Sequence, residues 1–188
     1  TKKDIENVYT SWDIISGNVK LSDSILIYDE AGDHTGMQSA EIAIKEGSTV
    51  EFMTPDRLIS SEIMGMNLTP YLKNLQNKKI TYSIAKRLLD VSIKGNKLNT
   101  LIGSDYDENF KYNSSYDQVF LNYGIKPLDE LYFSLVPYSK NKGEIDYKKF
   151  INGEEQDIIS DNNQFNLFRI GDAVSSRNIH AAIYDALR

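Results

Sequence analysis

The sequence predicts an α/β fold, a three-layer Rossmann-like domain with a sheet, a helix layer on one side and a β-meander on the other. Three observations predict it. Residues 24–54 read as strand, loop, helix and strand, about 30 residues in all, the length of one βαβ crossover. Residues 79–122 read as a succession of short strands, with turn signals at Gly95-Asn96 and Gly103-Ser104. Asp117–Asn122 and Leu167–Asp172 are compact apolar runs of strand length.

Taken in order, residues 1–20 form a short polar lead with a turn at Ser16-Gly17-Asn18. Ser24–Asp29 carries the compact apolar run Ile25–Tyr28, ends in a carboxylate, and reads as a buried strand. Glu30 to Thr35 is a loop rich in glycine and acid. From Gly36 to Glu46 the residues Met37, Ala40, Ile42, Ala43 and Ile44 recur at helical spacing, and Gly47 ends the helix. Thr49–Thr54 alternates as a second strand, which Pro55 closes. A helix is expected over 67–78, with Leu68, Leu72 and Leu75 on one face. Lys94-Gly95-Asn96-Lys97 reads as a hairpin tip. Gly124 and Pro127 mark a loop after the Asp117–Asn122 strand. The polar stretch from Ser139 to Asn163 has room for a short hairpin, Leu167–Asp172 is a final strand, and Ile179–Leu187 a final helix. No internal repeat or low-complexity segment interrupts this order.

Composition narrows the function classes. At 40% hydrophobic and 26% charged residues, the chain has the make-up of a globular protein rather than a disordered one. Its net charge of −6 and pI near 5.0 disfavour nucleic acid and anionic membranes as partners. No apolar run reaches membrane-spanning length and no signal peptide is visible. There is no cysteine, which excludes disulfides, thiolate catalysis and cysteine-ligated metal clusters within these 188 residues. A cytoplasmic location is expected. The chain opens on Thr1, and the expectation is that it was cut from something longer.

Two segments carry candidate chemistry. Tyr28 to Gly36 stands after a strand and before a helix, where a dinucleotide fold seats its pyrophosphate on backbone N–H groups. Gly32, His34 and Gly36 are the candidate contacts. The spacing departs from G-x-G-x-x-G, and Asp29, Glu30 and Asp33 bring negative charge to the place of the phosphates. Two readings stay open, a working nucleotide site and a structural loop that has lost one; the charge favours the second. Asp56 and Arg57, beyond the second strand, fit a ribose hydroxyl and a 2′-phosphate in type but read more simply as loop residues. The other segment is Gly171-Asp172-Ala173, followed by a small-residue helix start through His180. An aspartate after a tight glycine can accept hydrogen bonds from ligand hydroxyls. Neither His34 nor His180 has a spacing that forms a catalytic triad, and the 12 tyrosines are scattered as packing residues.

Read together, Ile25–Gly36, Asp117–Pro127 and Phe168–Leu187 resemble, in order and spacing, the C-terminal part of the trimethylamine dehydrogenase-like flavoproteins. These are NADH:flavin oxidoreductases of the Old Yellow Enzyme type with an appended pyridine-nucleotide-disulfide-oxidoreductase-like module. Trp12-Asp13 followed by Gly17 is similar to the segment that enters the family's inserted domain. The resemblance covers essentially the whole chain. It implies an FAD/NAD(P)-binding type of fold, with an NAD(P)-domain-like insertion over residues 20–135. Residues 1–19 and 136–188 would be partial flanking pieces of an FAD- or ADP-binding domain, with Gly171 and Asp172 at its second ligand contact. The parent family uses FAD or ADP and NAD(P), and its flavin-binding (β/α)8 barrel carries FMN and an iron–sulfur cluster.

That barrel, the cluster ligands and the first glycine-rich fingerprint of the interrupted domain are all missing from these residues. A complete cofactor site therefore cannot be assembled from this chain alone, and none of these cofactors is expected to be held fully by it. The expectation is a fragment of an amine dehydrogenase or NADH:flavin oxidoreductase, not a complete catalyst, acting as a scaffold with weak or no nucleotide binding. The alternatives are an NAD(P)H-binding domain that delivers hydride to a flavin, and a stand-alone interaction module. Its partner would be the absent barrel; substrate, NAD against NADP, and oligomeric state are left open.

Overall fold

In the computed structural model, residues 5–159 and 165–187 are described. They divide into two compact units, one running to Gly124 and the other starting at Ile125.

The first unit is built on a five-stranded sheet whose pairs are all parallel. Its strands are β1 (Val8–Thr10), β2 (Ser24–Asp29), β3 (Thr49–Met53), β4 (Ile80–Ser83) and β8 (Gln118–Asn122). They lie in the order β1-β8-β2-β3-β4. Helices α1 (Ser11–Ile15), α2 (His34–Lys45) and α3 (Gly65–Leu75) connect the first four in sequence. After β4 the chain makes an antiparallel meander of β5 (Arg87–Lys94), β6 (Lys97–Gly103) and β7 (Tyr112–Tyr116). It then returns as β8 on the other side of β2.

The alternation of side chains along a strand creates the three layers. Ile25 and Ile27 of β2 face α1 and α2, packing with Met37, Ala40, Ala43 and Ile14. Leu26 and Tyr28, one residue out of phase, face the meander and pack with Leu88, Val91, Leu98 and Ile102. A strand covered on both faces must be apolar throughout, which is why Ser24–Asp29 reads as a continuous run. Glu51 of β3 points to the meander side and is satisfied there, accepting from Tyr116 Oη at 2.6 Å and Ser83 Oγ at 2.7 Å.

Helix α2 stops in a Schellman turn. Ser48 N–H donates to Ala43 O (3.0 Å) and Gly47 N–H to Ile44 O (3.1 Å), with Gly47 at φ +97°, a conformation glycine adopts without a Cβ clash. The β5–β6 hairpin closes through Gly95-Asn96, as its sequence predicted.

Several elements differ from expectation. The polar lead contains β1 and α1, each too short to show periodicity. Their signal is local: Asp13 Oδ2 accepts from Thr10 N (2.8 Å) and Thr10 Oγ (2.7 Å), an acidic return to the residue before the helix. The helix expected over 67–78 spans Gly65–Leu75 and carries Pro70 inside it. The strand expected at Leu167–Asp172 does not form: Leu167 to Ile170 lie outside any helix or strand, and Gly171–Ala173 is a single 3-10 turn. A strand needs a neighbour to satisfy its backbone. Here the Asn141 side chain takes that place, donating to Leu167 O and accepting from Leu167 N, both at 2.9 Å.

In the second unit α4 (Glu130–Leu135), α5 (Tyr147–Asn152) and α6 (Ile179–Leu187) are joined by irregular chain. The described part of the stretch given room for a hairpin holds α5 instead, capped by Asp146; residues 160–163 of that stretch lie outside the described residues. The division falls after Gly124: β1 pairs Val8 to Val119 within the first unit's own sheet, and residues 125–135 group with the second unit. Among the described residues no helix is long and apolar enough to cross a membrane.

Candidate functional site

Strand order reverses around β2: the chain moves outward through β3 and β4, then returns as β8 on β2's opposite side. In an open parallel sheet, the carboxyl ends of the strands flanking such a reversal form a crevice suited to ligands. Here those ends are Asp29 on β2 and Asn122 on β8, paired residue to residue in the sheet. The amino end of α2 stands beside them.

Asp29 is fully buried. Its Oδ1 accepts from Gly32 N–H at 3.0 Å and from Asn122 Nδ2 at 2.8 Å. Its Oδ2 has no hydrogen-bond partner. Burial pushes this carboxyl up to about 6, against hydrogen bonds from Asn122 and Gly32 that pull it down. The carboxylate lies flat on Gly36: a Cβ there would come within 2.8 Å of Asp29 Cγ and 2.9 Å of Oδ2. Gly36 is therefore needed for the approach of Asp29, whatever else it faces.

Asp33 caps α2. Its Oδ1 accepts from Thr35 N at 3.0 Å and Asn122 Nδ2 at 3.0 Å, and it also meets the Thr35 hydroxyl. Desolvation raises this carboxyl, but hydrogen bonds from Thr35, Asn122 and the Gly36 backbone outweigh it and hold it below the usual range. The Asn122 amide thus spans both carboxylates, while its Oδ1 accepts from Ser11 Oγ at 3.0 Å. Glu30, the third loop acid, is exposed and meets Arg87 Nη1 at 2.5 Å; Arg87 also grips Asp105 with two hydrogen bonds.

The structure brings Gly32, His34 and Gly36 together in one loop and helix start. Gly32 is buried at φ +68°, and a Cβ there would meet Ser61 Oγ at 2.7 Å. His34 is exposed, its Nδ1 3.1 Å from Tyr71 Oη. Asp56 accepts from Ser61 Oγ at 3.0 Å, and Arg57 is exposed. Gly171, Asp172 and Ala173 lie in the second unit. Gly171, at φ +57°, packs against Ala182 of α6 and donates its N–H to Asp185 Oδ2 at 3.1 Å. Asp172 is exposed. Sequence reasoning missed Asn122, Thr35 and Ser11 in the first group and Asp185 in the second. The available signal was Asn122 itself, an amide ending a buried apolar strand.

No family model matches the chain. The chain is 50% identical over 184 residues to a probable N-methylproline demethylase of Rhizobium meliloti, covering 97% of this chain and 27% of that protein. It is 31% identical over 186 residues to an N,N-dimethylglycine/sarcosine dehydrogenase of Chromohalobacter salexigens, again covering 27% of that protein. The chain thus spans about a quarter of the length of the curated relatives it matches. Among solved structures, the 6-hydroxypseudooxynicotine amine oxidase of Pseudomonas geniculata superposes with a TM-score of 0.65 at 19% identity, over 97% of this chain and 24% of that one. The HOCl-induced flavoprotein disulfide reductase of Escherichia coli gives 0.60 at 14% identity, over 97% and 38%. These likenesses show that the α/β fold is shared with parts of those two enzymes. The chain is accordingly a homologue of one part of the larger demethylase and dehydrogenase flavoproteins, of the trimethylamine dehydrogenase-like and Old Yellow Enzyme type that its sequence resembles.

Proposed function

We propose that this chain serves a larger cytoplasmic flavin-dependent oxidoreductase of the amine-demethylating or amine-dehydrogenating kind. In this reading the first unit is an NAD(P)-domain-like scaffold with weak or no nucleotide binding. Residues after it would contribute part of an FAD- or ADP-type domain. The reading rests on homology at 50% identity to a probable demethylase of which the match covers 27%, joined to the state of the crevice.

The crevice is the observation that carries the scaffold part. Pyrophosphate binding needs bare backbone N–H groups and close approach over glycine. Here the Thr35 N–H is used by Asp33, and the open face of Gly36 is covered by Asp29. Gly32 is turned against Ser61. These residues do not fit a pyrophosphate, and no catalytic step is routed through a nucleotide on this unit. Gly171, Asp172 and Ala173 remain the proposed ligand contacts of the second unit, with Asp172 exposed and able to accept from a hydroxyl.

The second unit supports the same reading. Leu128, Leu131, Ile151, Ile179 and Leu187 are each more than 70% exposed. Apolar side chains in such number suit burial against further protein, and the missing (β/α)8 barrel and remainder of the parent enzyme are the proposed cover.

The test is a calorimetric titration of the purified chain with ADP, NADH, NADPH and FAD, after its visible spectrum is recorded. A colourless chain that shows no saturable heat with NADH or NADPH is the expected result. Saturable micromolar binding of either, lost in Gly36→Asp, would make the first unit a hydride-delivering domain instead.

A further inference from the structure

The crevice raises a sharper question: what stands where the phosphates of a dinucleotide would stand. Two features answer it independently. The first is the cap. Helix α2 is 12 residues long, and the partial positive charge of its amino end is met by Asp33, which accepts from Thr35 N–H. The second is Asp29. Its side chain is wholly buried, its Oδ2 accepts no hydrogen bond, and it rests on Gly36, the third residue of the helix. A buried oxygen left without a donor is costly, and such an arrangement persists only where the surroundings hold it. Asn122 is what holds it, donating to both carboxylates at once.

We propose that Asp29 and Asp33 are built-in anions at the amino end of α2, filling by charge and by contact the seat that a dinucleotide-binding fold gives to pyrophosphate. This rests on the scaffold reading above and supplies its cause. The unit keeps the dinucleotide fold but ligates itself. Glu30 is not part of the device, since its charge is met by Arg87 at the surface. Two negative side chains within a few ångströms repel an incoming phosphate strongly wherever water is scarce. The barrier is local and removable, because each carboxylate has an uncharged replacement. Asparagine at 29 keeps the acceptor for Gly32 and Asn122, and serine at 33 keeps a cap.

The experiment titrates NADH and, separately, inorganic pyrophosphate into the full 188-residue chain. Four proteins are compared: the unaltered chain, Asp33→Ser, the double variant Asp29→Asn/Asp33→Ser, and Glu108→Gln as an exposed charge removed away from the loop. Circular dichroism and a melting curve establish that each is folded. The expected result is no saturation for the unaltered chain and Glu108→Gln, and binding of both probes about tenfold or more tighter in the double variant. A folded double variant that binds no better overturns the inference and leaves the scaffold reading standing. An equal gain in Glu108→Gln also overturns it, since net charge and not position would then be the barrier. If the double variant does not fold, Asp33→Ser decides: a gain of about threefold or more for pyrophosphate supports the proposal, and no gain overturns it. Micromolar NADH binding by the unaltered chain defeats the scaffold reading itself.

Discussion

Among the described residues, the first unit has a core of buried hydrophobic side chains and the second has no buried hydrophobic residue. Every buried hydrophobic residue among those described lies between Val8 and Phe120. Among the described residues of the second unit only Ser139, Asn141 and Gly171 are buried; Leu135, Phe150 and Leu167 are half-buried, and most of its other large apolar side chains are exposed. The units also differ in how they satisfy their backbones. The first uses eight strands in two sheets; the second uses short helices, one isolated bridge between Ser139 and Phe165, and side chains such as Asn141. One segment of sequence therefore specifies its own fold, while the other carries an apolar composition that its own residues do not consume. The homology to one part of a longer protein fits that difference.

The largest effect that tests this contrast is expected at Phe120, which is fully buried and stacked on Tyr9 at 5.5 Å. Phe120→Ala should destabilise the chain by about 3–5 kcal/mol in urea unfolding. If it costs no more than a surface change, the first unit is not the cooperative core described.

Next comes the loop amide. Asn122→Ala removes the donor to both Asp29 and Asp33 and leaves two carboxylates short of hydrogen bonds, a loss of about 2–3 kcal/mol. The same site makes a pH prediction. The Asp29 carboxyl, held at about 6 by burial, lies above its ordinary value of 3.8. The folded state therefore favours its neutral form. Its contribution is fully present below about pH 4 and is lost as pH rises through 6. Asp33, lowered, acts with the opposite sign: its contribution is present above its ordinary value and is lost as pH falls. Asp29→Asn should flatten the fall in stability between pH 4 and 7 and raise stability at pH 7.5 by about 1–2 kcal/mol. Melting curves across that range check the sign. A variant less stable at pH 7.5 and unchanged in slope would mean that the buried carboxylate is not strained.

Smaller still is the effect at Asn141. Asn141→Ala should leave the unfolding midpoint of the first unit unchanged while the Leu167 amide loses hydrogen-exchange protection. Retained protection would show that a backbone partner, not the side chain, holds Leu167. Smallest is Ile151→Ser, at a side chain 75% exposed. It should shift stability by less than about 0.5 kcal/mol; a larger loss would show that the second unit has a core of its own.

The βαβ unit was legible because its periods are unmixed: a run covered on both faces, then helical spacing, then alternation. The hairpin tip at Gly95-Asn96 was legible because a two-residue turn has few sequences that suit it. The last helix was legible at both of its ends, Ile179 and Leu187. The first strand and helix were not, since three and five residues carry no period, and the Leu167–Asp172 run misled because an apolar run states only that a strand is possible, not that a neighbour exists to pair with it. The acids of the Tyr28–Gly36 loop were visible as a charge conflict with phosphate, but not their separate tasks.

By itself, then, the sequence determined the layer order of the first unit, its helix stop at Gly47 and the acidic character of the crevice, because periodicity, turn chemistry and charge act over a few adjacent residues. Tertiary structure alone decided that Asn122, 93 residues away from Asp29 along the chain, would bridge two carboxylates, that Gly36 would serve Asp29, and that Leu167 would bond a side chain instead of a strand. Those outcomes depend on which distant groups arrive at the same place, and local pattern holds no record of that.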